Sequence, residues 1–212
     1  MKKKKTVPRI KRILIAVPCY QNCEPDTMKS IYDLDIPQDV ETSLIFMAGY
    51  TVVQARNRIV AHSLKENYDY TLCVDSDVVL PKDLLVKLFK LGEDGAGIAT
   101  GWYIKKIPSG NPEHKITEIY TLNFDKNGIK NVLEKEMPKE GVLDIAACGF
   151  GCTLVNNEVF NKAFDGMHFE YVERREMAVS EDLFFCNKAF RAGVKMVVDT
   201  SLRCPHVGKV HF

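Results

Sequence analysis

A chain of 212 residues fits one domain with a full core and leaves little room for a second catalytic module. Hydrophobic residues make up 46% and charged residues 27%, a globular balance that excludes a disordered, fibrous or membrane-embedded chain. The formal net charge of +1 divides unevenly: residues 1–12 carry seven basic groups and no acid, while the other 200 residues set 22 basic groups against 28 acidic ones, about −6. A body of that sign is wrong for a duplex nucleic-acid binder, so no nucleic-acid partner is expected.

The apolar run after the basic start, Ile13 to Val17, ends at Pro18 and is shorter than the ~7 to 15 residues of a signal-peptide core. No stretch approaches the ~18 apolar residues of a transmembrane helix. The expectation is a cytoplasmic protein with a basic, disordered tail over 1–12 and a single domain over 13–212. The tail suits weak contact with an anionic membrane surface. The seven cysteines are an odd number lying largely in apolar runs, as free buried thiols do, and Cys19/Cys23 and Cys148/Cys152 lack the spacing of a zinc site.

In chain order, Ile13 to Val17 reads as a buried strand that Pro18 ends. Pro25 opens a short helix with Met28, Ile31, Tyr32 and Leu34 on its apolar side, and Pro37 stops it. Thr42 to Ala48 is a second strand, closed by Gly49. From Val52 to about Tyr68, the positions Val52, Ala55, Ile59, Val60 and Leu64 recur near a 3.6 period and predict an amphipathic helix. Tyr70 to Val74 is a third strand. Pro81 introduces a helix with Leu84, Leu85, Leu88 and Phe89 as its buried stripe, and Ile98 to Tyr103 is a fourth strand. This alternation predicts an α/β domain with a mostly parallel central sheet and helices on both faces.

The stretch from Lys105 to Lys115 has two prolines, a glycine and no period, and reads as a mobile loop. Asn127-Gly128 between Ile119 to Phe124 and Ile129 to Leu133 signals a hairpin. Val142 to Ala147 and Cys152 to Val155 flank a small-residue turn, Cys148-Gly149-Phe150-Gly151. A helix from about Glu181 to Ala192, ended by Gly193, and a strand from Lys195 to Val198 complete the regular elements.

The chemistry concentrates after the third strand, at Asp75-Ser76-Asp77. Two carboxylates two residues apart at the carboxyl end of a buried strand sit where open α/β sheets place their ligands. Both can turn toward one hard cation, Mg²⁺ or Mn²⁺, which keeps open positions for phosphate oxygens. Ser180-Glu181-Asp182 opens the last helix; a serine cap followed by acids is also ordinary capping. Cys204-Pro205-His206 puts a histidine after a strand, with proline fixing its approach. Arg56, near the start of the second helix, is a bidentate donor suited to a phosphate or ribose. No glycine-rich phosphate loop of the GxxxxGK[ST] or GxGxxG kind is present, so phosphate binding here depends on the cation.

Together, Ile13 to Tyr20, Ala55-Arg56-Asn57, Val74 to Asp77, Cys148 to Thr153, Ser180 to Phe185 and Cys204 to His206 resemble glycosyltransferases of the GT-A fold, close to family 2, in their order and spacing. The resemblance implies a single GT-A domain that moves a sugar from a nucleotide-diphosphate donor, UDP- or GDP-linked, to a hydroxyl acceptor on a glycan, lipid or protein. It places Pro18, Cys19 and Tyr20 at the nucleotide base and Arg56 near the ribose and diphosphate. It assigns Asp75, Ser76 and Asp77 to the nucleotide sugar, and makes Asp75, Asp77 and His206 ligands of Mn²⁺ or Mg²⁺. Gly149, Phe150 and Gly151 resemble the acceptor-side wall, Trp102 and Tyr103 are candidates to stack on a sugar, and Glu181 and Asp182 resemble the acidic pair that supplies the catalytic base. Stereochemistry stays open.

Val74 to Val79 also resembles the first motif of haloacid dehalogenase-type phosphatases, but that motif follows an opening strand and here two strand-helix units precede it. A nucleotidyltransferase shares the sheet and metal logic, yet Pro18-Cys19-Tyr20 stands where its glycine-rich loop belongs. A non-catalytic nucleotide-sugar-binding module is the alternative outside enzymes.

Overall fold

The computed structural model describes residues 9–106, 115–123, 128–174 and 177–207. Strand β1, Lys11–Cys19, lies between β2, Val40–Ala48, and β3, Tyr70–Val74, parallel to both. The strand starts within the expected tail: Lys11 and Arg12 belong to β1, and Arg9 already pairs with Asp69 at 3.3 Å. Residues 1–8 lie outside the described residues. Pro18 does not end β1 as expected. Pairing with β3 stops at Ala16 while pairing with β2 runs on to Cys19, so the missing proline N–H falls where a neighbour has already left.

Beyond β3 the mostly parallel sheet takes in antiparallel strands. Strand β9, Cys152–Asn156, inserts antiparallel between β3 and β4, Ile98–Trp102. Strand β12, Met196–Arg203, is parallel to β4, and the short β7, Val142–Asp144, closes that edge antiparallel. The order is β2-β1-β3-β9-β4-β12-β7, a mixed sheet in which five of the seven strands still run one way.

A second sheet forms from β5, Ile116–Asn123, β6, Gly128–Leu133, and β8, Ala147–Cys148. The expected hairpin is present as β5 and β6, although its turn, 124–127, lies outside the described residues, as do 107–114 of the expected loop. The single strand expected over Val142 to Ala147 is split. The chain leaves the large sheet after Asp144 and reaches the small one at Ala147, with the Ile145 amide donating to Met196 and the Ala146 amide to Tyr120.

Alternation along the strands sends side chains to two faces. On one, Ile13, Ile15, Val17, Leu72, Val74 and Leu154 pack against Leu84, Leu85 and Leu88 of α3, Leu84–Glu93, and against Ile31 of α1, Pro25–Tyr32. On the other, Leu14 and Ala16 meet Ile59 of α2, Val52–Lys65. That face also holds Cys73, Ile98 and Val155 in one core with α4, Glu158–Lys162, and α5, Glu181–Arg191. Helices therefore cover both faces, as expected.

Thr51 caps α2 reciprocally: its hydroxyl accepts the Gln54 amide at 3.4 Å and the Gln54 side chain accepts the Thr51 amide at 3.2 Å. Gly193, at φ 73°, closes α5 in the left-handed region that favours glycine. A small hairpin of β10, Val172–Arg174, and β11, Met177–Val179, precedes α5. No helix among the described residues is long and apolar enough to cross a membrane.

Candidate active site

A cleft of about 340 Å³ opens at the carboxyl ends of β1 and β3. Pro18, Cys19, Tyr20, Arg56, Asp75, Ser76, Asp77, Tyr103, Glu181 and Asp182 all line it, so residues far apart in the chain converge on one cavity. Tyr20 is 71% exposed at the rim, while Cys19 is buried in the wall and burial pushes its thiol up. The loop after β1 is fastened to the acidic loop after β3 by the Glu24 amide, which donates to the Ser76 carbonyl at 2.8 Å.

Arg56 is the hub of the floor, only 3% exposed. Its guanidinium donates to Asp75 Oδ1 at 2.9 Å, lies 3.4 Å from Glu181 Oε1 and forms a close pair with Asp182. The rings of Phe150 and Phe169 flank it at 5.4 and 5.7 Å. Burial works against the charge, but Asp75 and Glu181 more than offset it and hold Arg56 firmly cationic. Its charge is met by protein carboxylates while its side chain also lines the cleft.

Its neighbour Asn57 completes the arrangement. The Asn57 side chain accepts the His168 and Phe169 amides, each at 3.1 Å, and donates to the Phe169 carbonyl at 2.7 Å. That clamp sets the Phe169 ring beside Arg56.

The two acids after β3 diverge. Asp75 faces Arg56, whereas Asp77 faces His206, with Nε2 to Oδ1 at 3.3 Å, and pairs closely with Lys106. Burial raises the Asp77 carboxyl, but His206 and Lys106 outweigh it and bring it down to about 2. His206 is held from behind: its Nδ1 donates to the Ile104 carbonyl at 3.0 Å and its Nε2 faces Asp77; burial lowers its pKa, but Asp77 and the Ile104 carbonyl outweigh this and raise it above the ordinary 6.5. Tyr103 packs edge-on against the His206 ring at 5.2 Å.

Among the described residues no group of three or more His, Cys, Asp or Glu stands close enough together to hold a metal ion. The expected triad of Asp75, Asp77 and His206 is thus present as one pair, Asp77 and His206, with Asp75 turned to Arg56. That pair still suits Mg²⁺ or Mn²⁺, which take one or two protein ligands and complete their shell with water and phosphate oxygens. The histidine tautomer fixed by Ile104 is the one a metal ligand needs.

Trp102 requires a correction. It was expected to stack on a sugar beside Tyr103, but consecutive strand residues face opposite ways. Tyr103 faces the cleft; Trp102, 6% exposed, lies in the opposite core and donates its indole N–H to the Thr200 carbonyl at 2.8 Å. Phe150 is likewise buried, beneath Arg56, and its backbone amide donates to Asp182 at 3.3 Å. Gly149 and Gly151 stand outside the cleft lining, and both positions need glycine for a steric reason. A Cβ on Gly149 would fall 2.2 Å from the Tyr103 hydroxyl, and one on Gly151 would fall 2.9 Å from the Tyr103 ring. The small-residue turn makes room for Tyr103, whose hydroxyl accepts the Gly151 amide at 3.1 Å.

Three further residues line the cleft: Tyr50, Val52 and Glu118. Tyr50 follows Gly49 at the end of β2, a place that the strand-end rule marks out. Glu118 is the one charged residue of β5, and nothing local in the sequence connects it to β3.

No protein-family model matches the chain, and no curated protein sequence matches it. Similarity appears in solved structures. A197 from STIV aligns with a TM-score of 0.62 at 18% identity, over 93% of this chain and 86% of that one. GalNAc-T7, solved with UDP, GalNAc and Mn²⁺, aligns with a TM-score of 0.62 at 12% identity, over 95% of this chain. The fold is similar to that of a GT-A glycosyltransferase. This chain spans 45% of the GalNAc-T7 chain, and identities this low speak for the fold alone.

Proposed function

We propose that the protein is a metal-dependent glycosyltransferase that uses a nucleotide-diphosphate sugar, UDP- or GDP-linked, and transfers the sugar to a hydroxyl acceptor. The observation that carries the reading is the convergence in one cleft of the Asp75-Ser76-Asp77 loop, with Asp77 paired to His206, and the acidic head of α5, locked together through Arg56.

In this reading Tyr20 and Tyr50 bracket the base at the β1 and β2 end. Asp77 and His206 would hold a divalent cation, whose charge offsets that of the diphosphate leaving group. Glu181 and Asp182 receive the acceptor hydroxyl's proton, and Arg56, paired with both, holds them in place for that task. Asp182 is engaged at both oxygens, by Arg56 and by the Phe150 amide, whereas Glu181 touches Arg56 through Oε1. The resemblance to family 2, the assignment of each residue to its part of the donor and the placement of the chain in the cytoplasm belong to this proposal.

The test is calorimetric titration of UDP and GDP into the full chain with Mn²⁺. One nucleotide is expected to bind, and Asp77→Asn or His206→Ala is expected to weaken it at least about tenfold, the loss of one charged contact. Binding that is independent of metal and indifferent to both substitutions rejects the assignment.

A further inference from the structure

Glu118 sits on β5 at the end of the cleft opposite Tyr20 and Tyr50. The sheet order β2-β1-β3-β9-β4 sets a direction across the cavity. The aromatic rim belongs to β1 and β2, the Asp75 to Asp77 loop follows β3, and Tyr103 and Glu118 come from β4 and the small sheet beyond. A ligand built as base, diphosphate and sugar, with its diphosphate beside Asp77, extends its third part toward Glu118.

The side chain is also prepared for a ligand. Its backbone is pinned on both sides: the Glu118 amide donates to the Tyr103 carbonyl at 3.0 Å, and the Gly149 amide donates to the Glu118 carbonyl at 2.9 Å. Oε2 accepts the Tyr120 hydroxyl at 3.2 Å and lies 3.4 Å from Lys105 Nζ, which itself donates to the Tyr120 hydroxyl at 2.6 Å. Oε1 has no partner among the described residues, and Glu118 lines the cavity. A carboxylate anchored through one oxygen and open through the other is an acceptor awaiting a donor. The adjacent Lys105 ammonium disfavours a second metal ion there, and a phosphate would be repelled. A neutral polyol supplies hydroxyl donors without either penalty. Gly149 guards the position, because a Cβ there would approach the Glu118 Cβ to 3.0 Å.

We propose that Glu118 selects the donor sugar, its free carboxylate oxygen accepting hydrogen bonds from hydroxyl groups of the transferred hexose. This rests on the nucleotide-sugar reading of the cleft and names a residue for its sugar end. Lys105 and Tyr120 act as positioning residues that fix the carboxylate.

Calorimetry of the full chain in Mn²⁺ tests it with two paired series, UDP against UDP-glucose and UDP-N-acetylgalactosamine, and GDP against GDP-mannose. For the nucleotide that binds, Glu118→Gln and Glu118→Ala are expected to lower affinity for the preferred sugar nucleotide, about tenfold for alanine and less for glutamine, which keeps a neutral acceptor. The loss falls on the sugar nucleotide and not on the bare nucleotide. Tyr120→Phe, which leaves the carboxylate in place, is expected to give a smaller loss of the same kind, and it serves should the Glu118 variants fail to fold. An unchanged ratio of sugar-nucleotide to nucleotide affinity overturns the role of Glu118 while the nucleotide reading stands. Failure of the unaltered protein to bind either nucleotide overturns both.

Discussion

Arg56 shows how one side chain can decide a site. Three carboxylates, Asp75, Glu181 and Asp182, come within ion-pairing distance of its guanidinium, and two aromatic rings exclude water from it. A planar fork can address several carboxylates at once, and a lysine ammonium cannot. Arg56→Met leaves those acids facing one another without a counter-charge and is expected to destabilise the fold by about 3 kcal/mol or more, the range for breaking a buried pair. Arg56→Lys is expected to recover only part of that, because one ammonium reaches fewer partners. Urea unfolding of both variants is the measurement, and a lysine variant as stable as the parent would refute the hub. The sequence marked Arg56 as a charged group near a ligand, but its partners were out of sight, since a guanidinium reads the same whether it faces phosphate or protein acids. Glu118 was missed for a related reason: it joins the cleft because β5 packs between Tyr103 after β4 and Gly149 after β8, contacts with no local signature.

At the scale of elements, the segment between α4 and the β10–β11 hairpin backs the site, because its buried Phe169 ring lies against Arg56. Its His168 lies 3.0 Å through Nε2 from the Phe160 carbonyl and against the Phe164 ring at 4.8 Å. Burial pushes its pKa below the ordinary 6.5, the Phe160 carbonyl opposes this, and the charge of Lys188 adds to the lowering. The unfolded chain therefore takes up a proton more readily than the folded one. The stability linked to neutral His168 is present above about pH 6.5 and is lost as pH falls through the lower folded value. His168→Gln, which keeps a donor for the Phe160 carbonyl, is expected to flatten that part of the acid limb. Denaturant midpoints of both proteins between pH 7.5 and 5 test this, and parallel curves would show that His168 contributes nothing to it. Elements with strong local patterns were legible in the sequence: β3 matches residue for residue, α5 ends at Gly193, and β5 and β6 pair as the expected hairpin, with Gly128 opening β6 opposite Asn123 rather than sitting in the turn. Strand direction was not. An apolar run such as Cys152 to Val155 reads the same parallel or antiparallel, so the insertion of β9 between β3 and β4 had no sequence signal. The short β10 and β11 were missed because three residues show no period.

Over the whole molecule, the acidic body becomes a local property of the cleft. Five carboxylates line it, Asp75, Asp77, Glu118, Glu181 and Asp182, and the Arg56 charge is spent inside the protein. A diphosphate entering this cavity alone meets net negative charge, and Lys106 at Asp77 is a cation that a bound metal would have to displace. On the proposed reading, a divalent ion held by Asp77 and His206 would reverse the local sign and would give the phosphate oxygens a partner. Raising salt cannot substitute for it, because screening over about 8 Å weakens repulsion without supplying attraction. The expected consequence appears in global stability. With Mn²⁺ present, the binding nucleotide at 100 times its dissociation constant should stabilise the fold by about 2.7 kcal/mol. With a chelator that gain should vanish, and added sodium chloride should not restore it. Thermal melts of one preparation under the three conditions provide the comparison. An equal nucleotide-dependent gain with and without chelator would show that the cleft does not need the cation to accept its ligand.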